Sequence, residues 1–255
     1  DYCNKVIGSG QYPLVPNFAT LFDGTQNTSA SIFEIQHSEA SSFTTYNVSL
    51  YLPAQFGTYS FKKFNLPTND LVNLYKSQND NIRLNSSIYQ AAVGTDGMAA
   101  GDPIPAPYTT ASVTVPFLYK WKTNISQFGG GTDNTILLRL ADIILLKAEA
   151  LNQLGQTPQA IPLVNQIRTR VHLANITATT KDAVGLAILN ERRMELAFEG
   201  NRWNDLLRYG KQYTITLMNS QVDPTGKALS YGVNENKLLL PVPFNEIQLD
   251  GNLTQ

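Results

Sequence analysis

Between Ile136 and Gly210 the chain follows one pattern twice: apolar residues at helical spacing, a stop, then a second such stretch. Ile136 to Leu154 is apolar on almost every face, which predicts a helix buried on two sides, and Gly155 follows where a left-handed C-terminal cap belongs. Thr157-Pro158 opens the next helix, because the threonine oxygen can accept from an orphan amide while a proline at the first helical position needs none. Its stripe of Ile161, Val164, Ile167 and Val171 runs to about Leu173, with Pro162 placed awkwardly one turn in. A third helix is predicted from Thr179 or Thr180 through Val184, Ile188, Met194 and Phe198 to Gly200. A short fourth holds Trp203, Leu206 and Leu207 before Gly210. Ala141, Ala148, Gly155 and Ala160 are small enough to let paired helices approach closely, and the spacing is that of a tetratricopeptide unit of about 34 residues. Each such repeat buries its apolar face on a neighbour, so two units need further helices, expected upstream or from residues 1–8 and 68–77.

The flanking sequence has another character. Residues 1–135 carry only 16 charged side chains, against 17 in the 76 residues of 136–211, and are rich in Ser, Thr, Asn and Gly. Alternating runs at Ser31–Gln36 and Tyr46–Tyr51 predict short strands, while Asp23-Gly24, Asp96-Gly97, the prolines of 103–107 and Gly129-Gly130-Gly131 predict long ordered loops. One helix is expected to start near Thr68 or Asn69. The last stretch, 212–255, reads as irregular, with Lys237–Pro243 an edge segment ended by prolines. The fold class is therefore mainly α: tetratricopeptide-like helix pairs, long irregular loops and a few short β-strands. Three regions, 1–135 as the candidate ligand-binding face, 136–211 and 212–255, are expected to form one globular unit.

Composition excludes several function classes. Nineteen Lys and Arg against twenty Asp and Glu leave a formal charge of -1, without the basic field that nucleic acid or an anionic lipid surface requires. Cys3 is the only cysteine and His37 and His172 the only histidines, so no internal disulfide, metal site or cofactor is expected. No apolar run reaches the 18 or so residues of a membrane span, so the chain itself reads as soluble. Asp1 and Tyr2 suit a lipoprotein cleavage site poorly, and Cys3 reads as a buried small residue near the end of a cut-off helix.

Four segments carry a family resemblance: Leu137–Asp142 with Lys147–Asn152, Leu163–Arg170, Glu191–Leu206, and Leu240–Ile247 with Asn252–Gln255. In this order they resemble the C-terminal half of the SusD/RagB family, and weaker matches at Val6–Leu14 and Ser31–Gln36 extend the similarity along the chain. The resemblance implies a cell-surface lipoprotein of the Bacteroidetes outer membrane that captures nutrients, usually oligosaccharides. It would pass them to a SusC-like TonB-dependent transporter beneath it. It also implies that an N-terminal half carrying the lipid anchor is missing, and its RagB branch keeps open a tetratricopeptide scaffold that binds peptide or protein.

Catalysis has no candidate set. Glu191, Glu195 and Glu199 recur every fourth residue and would line one helix face, but hydrolysis needs two carboxyls across a cleft. Arg192 lies three before Glu195, Arg202 three after Glu199 and Arg208 three after Asp205, which predicts local ion pairs. With Arg193 and Trp203, these residues form the structural motif that the family resemblance assigns to the last repeat. Aromatic rings remain: sugars pack their C–H faces on exposed rings while amides and carboxylates bond their hydroxyls. Trp121, Tyr119, Tyr59, Phe61, Tyr51 and Tyr108 each sit beside a loop signal and are the candidate ligand-binding residues, with Trp121 expected to be exposed. Trp203, on the apolar side of its short helix, is expected to be buried.

Overall fold

The computed structural model describes residues 1–38, 50–53, 56, 64–92, 108, 114–122, 131–223, 225–250 and 252. Among them the chain runs through α1 (Tyr2–Gly8), β1 (Ser31–Ile35), α2 (Asn69–Ser77), α3 (Asn81–Ser87), β2 (Ile88–Ala92), β3 (Thr114–Leu118) and β4 (Thr135–Arg139). It continues through α4 (Leu140–Gln153), α5 (Thr157–Arg170), α6 (Lys181–Glu195), α7 (Arg202–Tyr209), α8 (Lys211–Asn219) and α9 (Phe244–Leu249). The architecture is mainly helical, and no described helix is long and apolar enough to cross a membrane. Two compact units are present, residues 1–202 and 203–255.

The apolar run expected as one helix from Ile136 divides in two. Its first residues form β4, antiparallel to β1 with Glu34 opposite Ile136 and Ile35 opposite Thr135. Arg139 keeps an extended backbone (φ -141°, ψ 161°), and the amide of Leu140 donates to the carbonyl of Ala30 at 2.9 Å before helix α4 begins. An all-apolar run has no period that separates strand from helix, so the available partner decides. At its other end α4 closes as expected: Gly155 has φ +78°, Gln156 donates to the Leu151 carbonyl at 2.8 Å and Gly155 to that of Asn152 at 3.1 Å. This paired closure satisfies carbonyls that the helix leaves open.

Helix α5 starts differently from the expectation. The Thr157 hydroxyl donates to Asn152 Oδ1 at 2.8 Å instead of accepting from a helix amide, and Asn152 Nδ2 donates to the Lys181 carbonyl at 2.8 Å. One asparagine thereby ties together the end of α4 and the starts of α5 and α6. Ala148, Ala160, Val164, Val184 and Ile188 form one buried cluster where α4, α5 and α6 meet. The small residues do here what close helix contact requires.

The extra helices that a short repeat array needs are supplied within the first unit. Helix α1 packs on α4, with Ile7 against Leu140, Ile144 and Leu145. Helix α2 is capped by Thr68, whose side chain accepts from the Leu71 amide, and its buried Tyr75 donates to the Met194 carbonyl at 2.7 Å. Cys3 in α1 is half-buried rather than buried. Helix α6 ends at Glu195, short of the expected Gly200; Phe198 (φ 65°) and Gly200 (φ 81°) turn the chain back instead.

Strands β2 and β3 pair antiparallel, Tyr89 opposite Phe117 and Ala91 opposite Val115. Alternation sends Ile88 and Leu118 to the cores of the helical layer, while Ala91, Val115 and Phe117 face a separate cluster with Leu52 and Tyr108. The predicted strand at Tyr46–Tyr51 falls mostly outside the described residues.

In the second unit, the Thr214 hydroxyl donates to the carbonyls of Leu206 and Gly210, bracing α8 against α7. The Lys237–Pro243 segment forms no strand: Glu235–Lys237 is a 3-10 turn, and α9 starts at Phe244. Trp203, expected to be buried, is half-buried.

Candidate functional site

The acids singled out by sequence lie inside the protein. Glu195 is fully buried; its Oε1 accepts from Arg139 Nη1 at 2.6 Å, and its Oε2 from Arg83 Nη1 at 3.1 Å and from Arg170 Nη2 at 2.5 Å. Glu199, in the turn after α6 and not on the helix, accepts from Arg139 Nε at 2.7 Å and from Lys120 Nζ at 2.7 Å. Glu191 pairs with Arg168 at 2.9 Å and with Arg83 at 2.7 Å. The expected local pairs therefore give way to distant ones. Arg192 reaches Asp142 on α4 at 2.7 Å rather than Glu195, Arg193 reaches Asp70 at 2.7 Å, and the cations on Glu199 are Lys120 and Arg139 rather than Arg202. Only the Asp205–Arg208 pair, at 2.6 Å, joins neighbours as expected.

This network ties α3, α4 and α5 to α6. Burial by itself would raise the Glu195 carboxyl, but the guanidiniums of Arg170, Arg139 and Arg83 outweigh it and hold the group well below the usual carboxylate range. Glu199 is lowered in the same way, burial opposing and Arg139 with Lys120 prevailing. Burial pulls Lys120 down to about 8 against the attraction of Glu199, and its ammonium also donates to the carbonyls of Glu195 and Ala197. Carboxylates held ionised, with both oxygens occupied, are poorly placed to cycle as acid and base. Among the described residues, no group of three or more His, Cys, Asp or Glu could hold a metal ion.

The aromatic candidates separate. Trp121, expected to be an exposed platform, is 8% exposed: its ring meets Phe22 edge-on at 5.5 Å and its Nε1 donates to the Phe198 carbonyl at 3.3 Å. It also lines a shallow recess with Gln26, Glu34 and Asn134, whose polar groups bond largely to one another or to the backbone. Tyr108 is likewise buried, and half-buried Tyr51 packs on the cluster around Phe22. Tyr59 and Phe61 lie outside the described residues.

Tyr119, by contrast, joins a half-buried group of rings. The ring of Phe56 stands 4.9 Å from Tyr89 and 5.6 Å from Tyr119, both edge-on, and Tyr89 lies 5.7 Å from Tyr119 at 39°. The register explains the meeting: the Tyr119 amide donates to the Ser87 carbonyl at 2.9 Å, which sets Tyr119 diagonal to Tyr89 on one face of the β2–β3 ribbon. Burial, then the nearby Tyr89, raises the Tyr119 hydroxyl above its ordinary value, so it stays a neutral donor. Lys122 Nζ lies 4.6 Å from the Tyr119 ring centre. Sequence reasoning missed Tyr89 and Phe56; the alternation of Ser87, Tyr89 and Ala91 was a signal for the first, but only the register says which strand it faces.

The architecture and its motifs have known counterparts. The model of the SusD family matches residues 75–255, and the chain belongs to that family. SusD-like protein P38 of Formosa agariphila is 50% identical over 103 residues, which cover 37% of this chain and 20% of that protein. A solved laminarin-binding SusD-like protein is 25% identical with a TM-score of 0.70, covering 93% of this chain and 52% of that one. Surface glycan-binding protein A from Bacteroides thetaiotaomicron, solved with laminarihexaose, is 22% identical with a TM-score of 0.73, covering 100% of this chain and 58% of that one. The chain thus spans little more than half the length of these solved relatives.

Proposed function

We propose that the chain is part of a non-catalytic cell-surface subunit that captures oligosaccharides and passes them to a partner TonB-dependent outer-membrane transporter, the parent protein being held to the membrane by a lipid anchor. The observation that carries this reading is the half-buried face of Phe56, Tyr89 and Tyr119. Three rings held by each other and by a two-stranded ribbon form a preorganised apolar surface, which suits stacking against sugar C–H faces. The glycan-binding relatives, one solved with laminarihexaose, support the same class of ligand. Buried, saturated carboxylates speak against turnover at this site.

Calorimetry with the 255-residue chain and a panel of oligosaccharides tests the proposal. Tyr119→Ala should weaken binding by about 1 to 3 kcal/mol, while Tyr119→Phe, which keeps the ring, should retain most of it. Equal affinity for wild type and Tyr119→Ala would remove this face as the site. Capture from a peptide library with no response on a glycan array would replace the reading with the peptide-binding scaffold.

A further inference from the structure

Lys122 differs from the other cations drawn into the first unit. Arg83, Lys120, Arg139, Arg168, Arg170 and Arg192 each have a carboxylate at 3.1 Å or closer. The half-buried Lys122 has none within 4 Å among the described residues; its ammonium donates to the Phe22 carbonyl at 3.0 Å and lies over the Tyr119 ring at 4.6 Å. An ammonium has three donors, and a ring face satisfies its charge only in part. Removing such a charge from water without an anionic partner is unfavourable. Burial accordingly pulls Lys122 below the ordinary lysine range, with the more distant Asp23 and Asp133 acting the other way.

The position of this charge is specific. The carbonyl of Phe22 anchors the ammonium from the core side, and the Tyr119 ring holds it at the margin of the three-ring face. A sugar residue stacked on that face would bring its substituents within reach of Lys122. A carboxylate or sulfate ester there would supply, through charge-assisted hydrogen bonds, a counter-charge that no described residue places within 4 Å, which a neutral hydroxyl does not. Resting on the reading of this face as a glycan site, we infer that it selects acidic oligosaccharides, with Lys122 receiving the carboxylate or sulfate ester of the sugar stacked beside Tyr119.

The test titrates the 255-residue chain with laminarihexaose, a sulfated laminarihexaose and a hexameric oligogalacturonate, which separate neutral, sulfate and carboxylate arms. At least one acidic probe should bind about tenfold or more tightly than the neutral one, and its affinity should fall as salt is raised. Lys122→Met should abolish that preference and Lys122→Arg should keep it, with melting curves recorded for both. If Lys122→Met lowers the melting temperature, the salt dependence of the wild type and the Lys122→Arg result decide. Neutral and acidic probes bound equally, lost in Tyr119→Ala but unchanged in Lys122→Met, would overturn the charge selection and leave the glycan face standing. No binding of any of the three would overturn both.

Discussion

Replacing Glu195 with glutamine tests the buried charge network at its centre. The side chain keeps its shape, but one of its two oxygens becomes an amide donor. If that is Oε1, it faces Arg139 Nη1; if Oε2, it faces Arg83 and Arg170. Either way one or two charge-assisted hydrogen bonds at about 1.5 to 3 kcal/mol each are lost and a donor is set against a donor. The remaining guanidiniums keep their charge in a buried site. The expected cost is about 3 to 5 kcal/mol, the range for removing one partner of a buried pair and larger than an exposed local pair would give. The same residue predicts a pH dependence. Its folded carboxyl lies well below the ordinary value, so its contribution is present above the unfolded pKa and is lost as pH falls through the folded one. Urea titrations from neutral to acid pH, followed by fluorescence in a Trp203→Phe background so that buried Trp121 reports on the first unit, measure both effects. Wild type should lose stability on acidification and Glu195→Gln should lose less. A cost under about 1 kcal/mol, or parallel pH profiles, would refute the argument that these charges are desolvated and mutually dependent.

Three further outcomes follow from packing and charge. Ala148, fully buried against Ala160, Val164, Val184 and Ile188, has no room for an indole, so Ala148→Trp should cost at least about 1 to 3 kcal/mol; an unchanged melting curve would remove the close helix packing. Trp121→Ala should destabilise the first unit by about 3 to 5 kcal/mol, and an unaltered urea midpoint would return that ring to the surface. Lys120 should titrate near 8 when its side-chain carbon is followed by NMR, and a midpoint above 10 would contradict its burial. Because the unfolded chain binds the extra proton between the two values, this group adds stability as pH rises from about 8 toward the free-lysine range.

Thr68, Gly155 and Thr180 were legible because each acts within a few residues of itself. A threonine oxygen caps an amide three residues on, and a glycine takes a left-handed turn to close the carbonyls just behind it. The helical period of 157–195, the mainly helical class and the motif order along residues 75–255 rest on similarly short-range patterning. The limits of such reading fall where a partner is far away. Ile136–Arg139 became a strand because β1 lies beside it, and Glu199 left the helix because the turn at Phe198 and Gly200 carries it to Arg139 and Lys120.

The sequence by itself determined which residues cap, turn and pack locally, since those preferences arise from backbone dihedrals and hydrogen bonds within one or two turns. Tertiary structure decided the rest. Glu195 is neutralised by Arg83, Arg139 and Arg170 rather than by Arg192, Trp121 enters the core, and Phe56 and Tyr89 complete the face begun by Tyr119. Charge pairing, burial and strand register depend on what lies across a contact, and residues 25 to 112 positions apart do not announce in their own spacing that folding will bring them together.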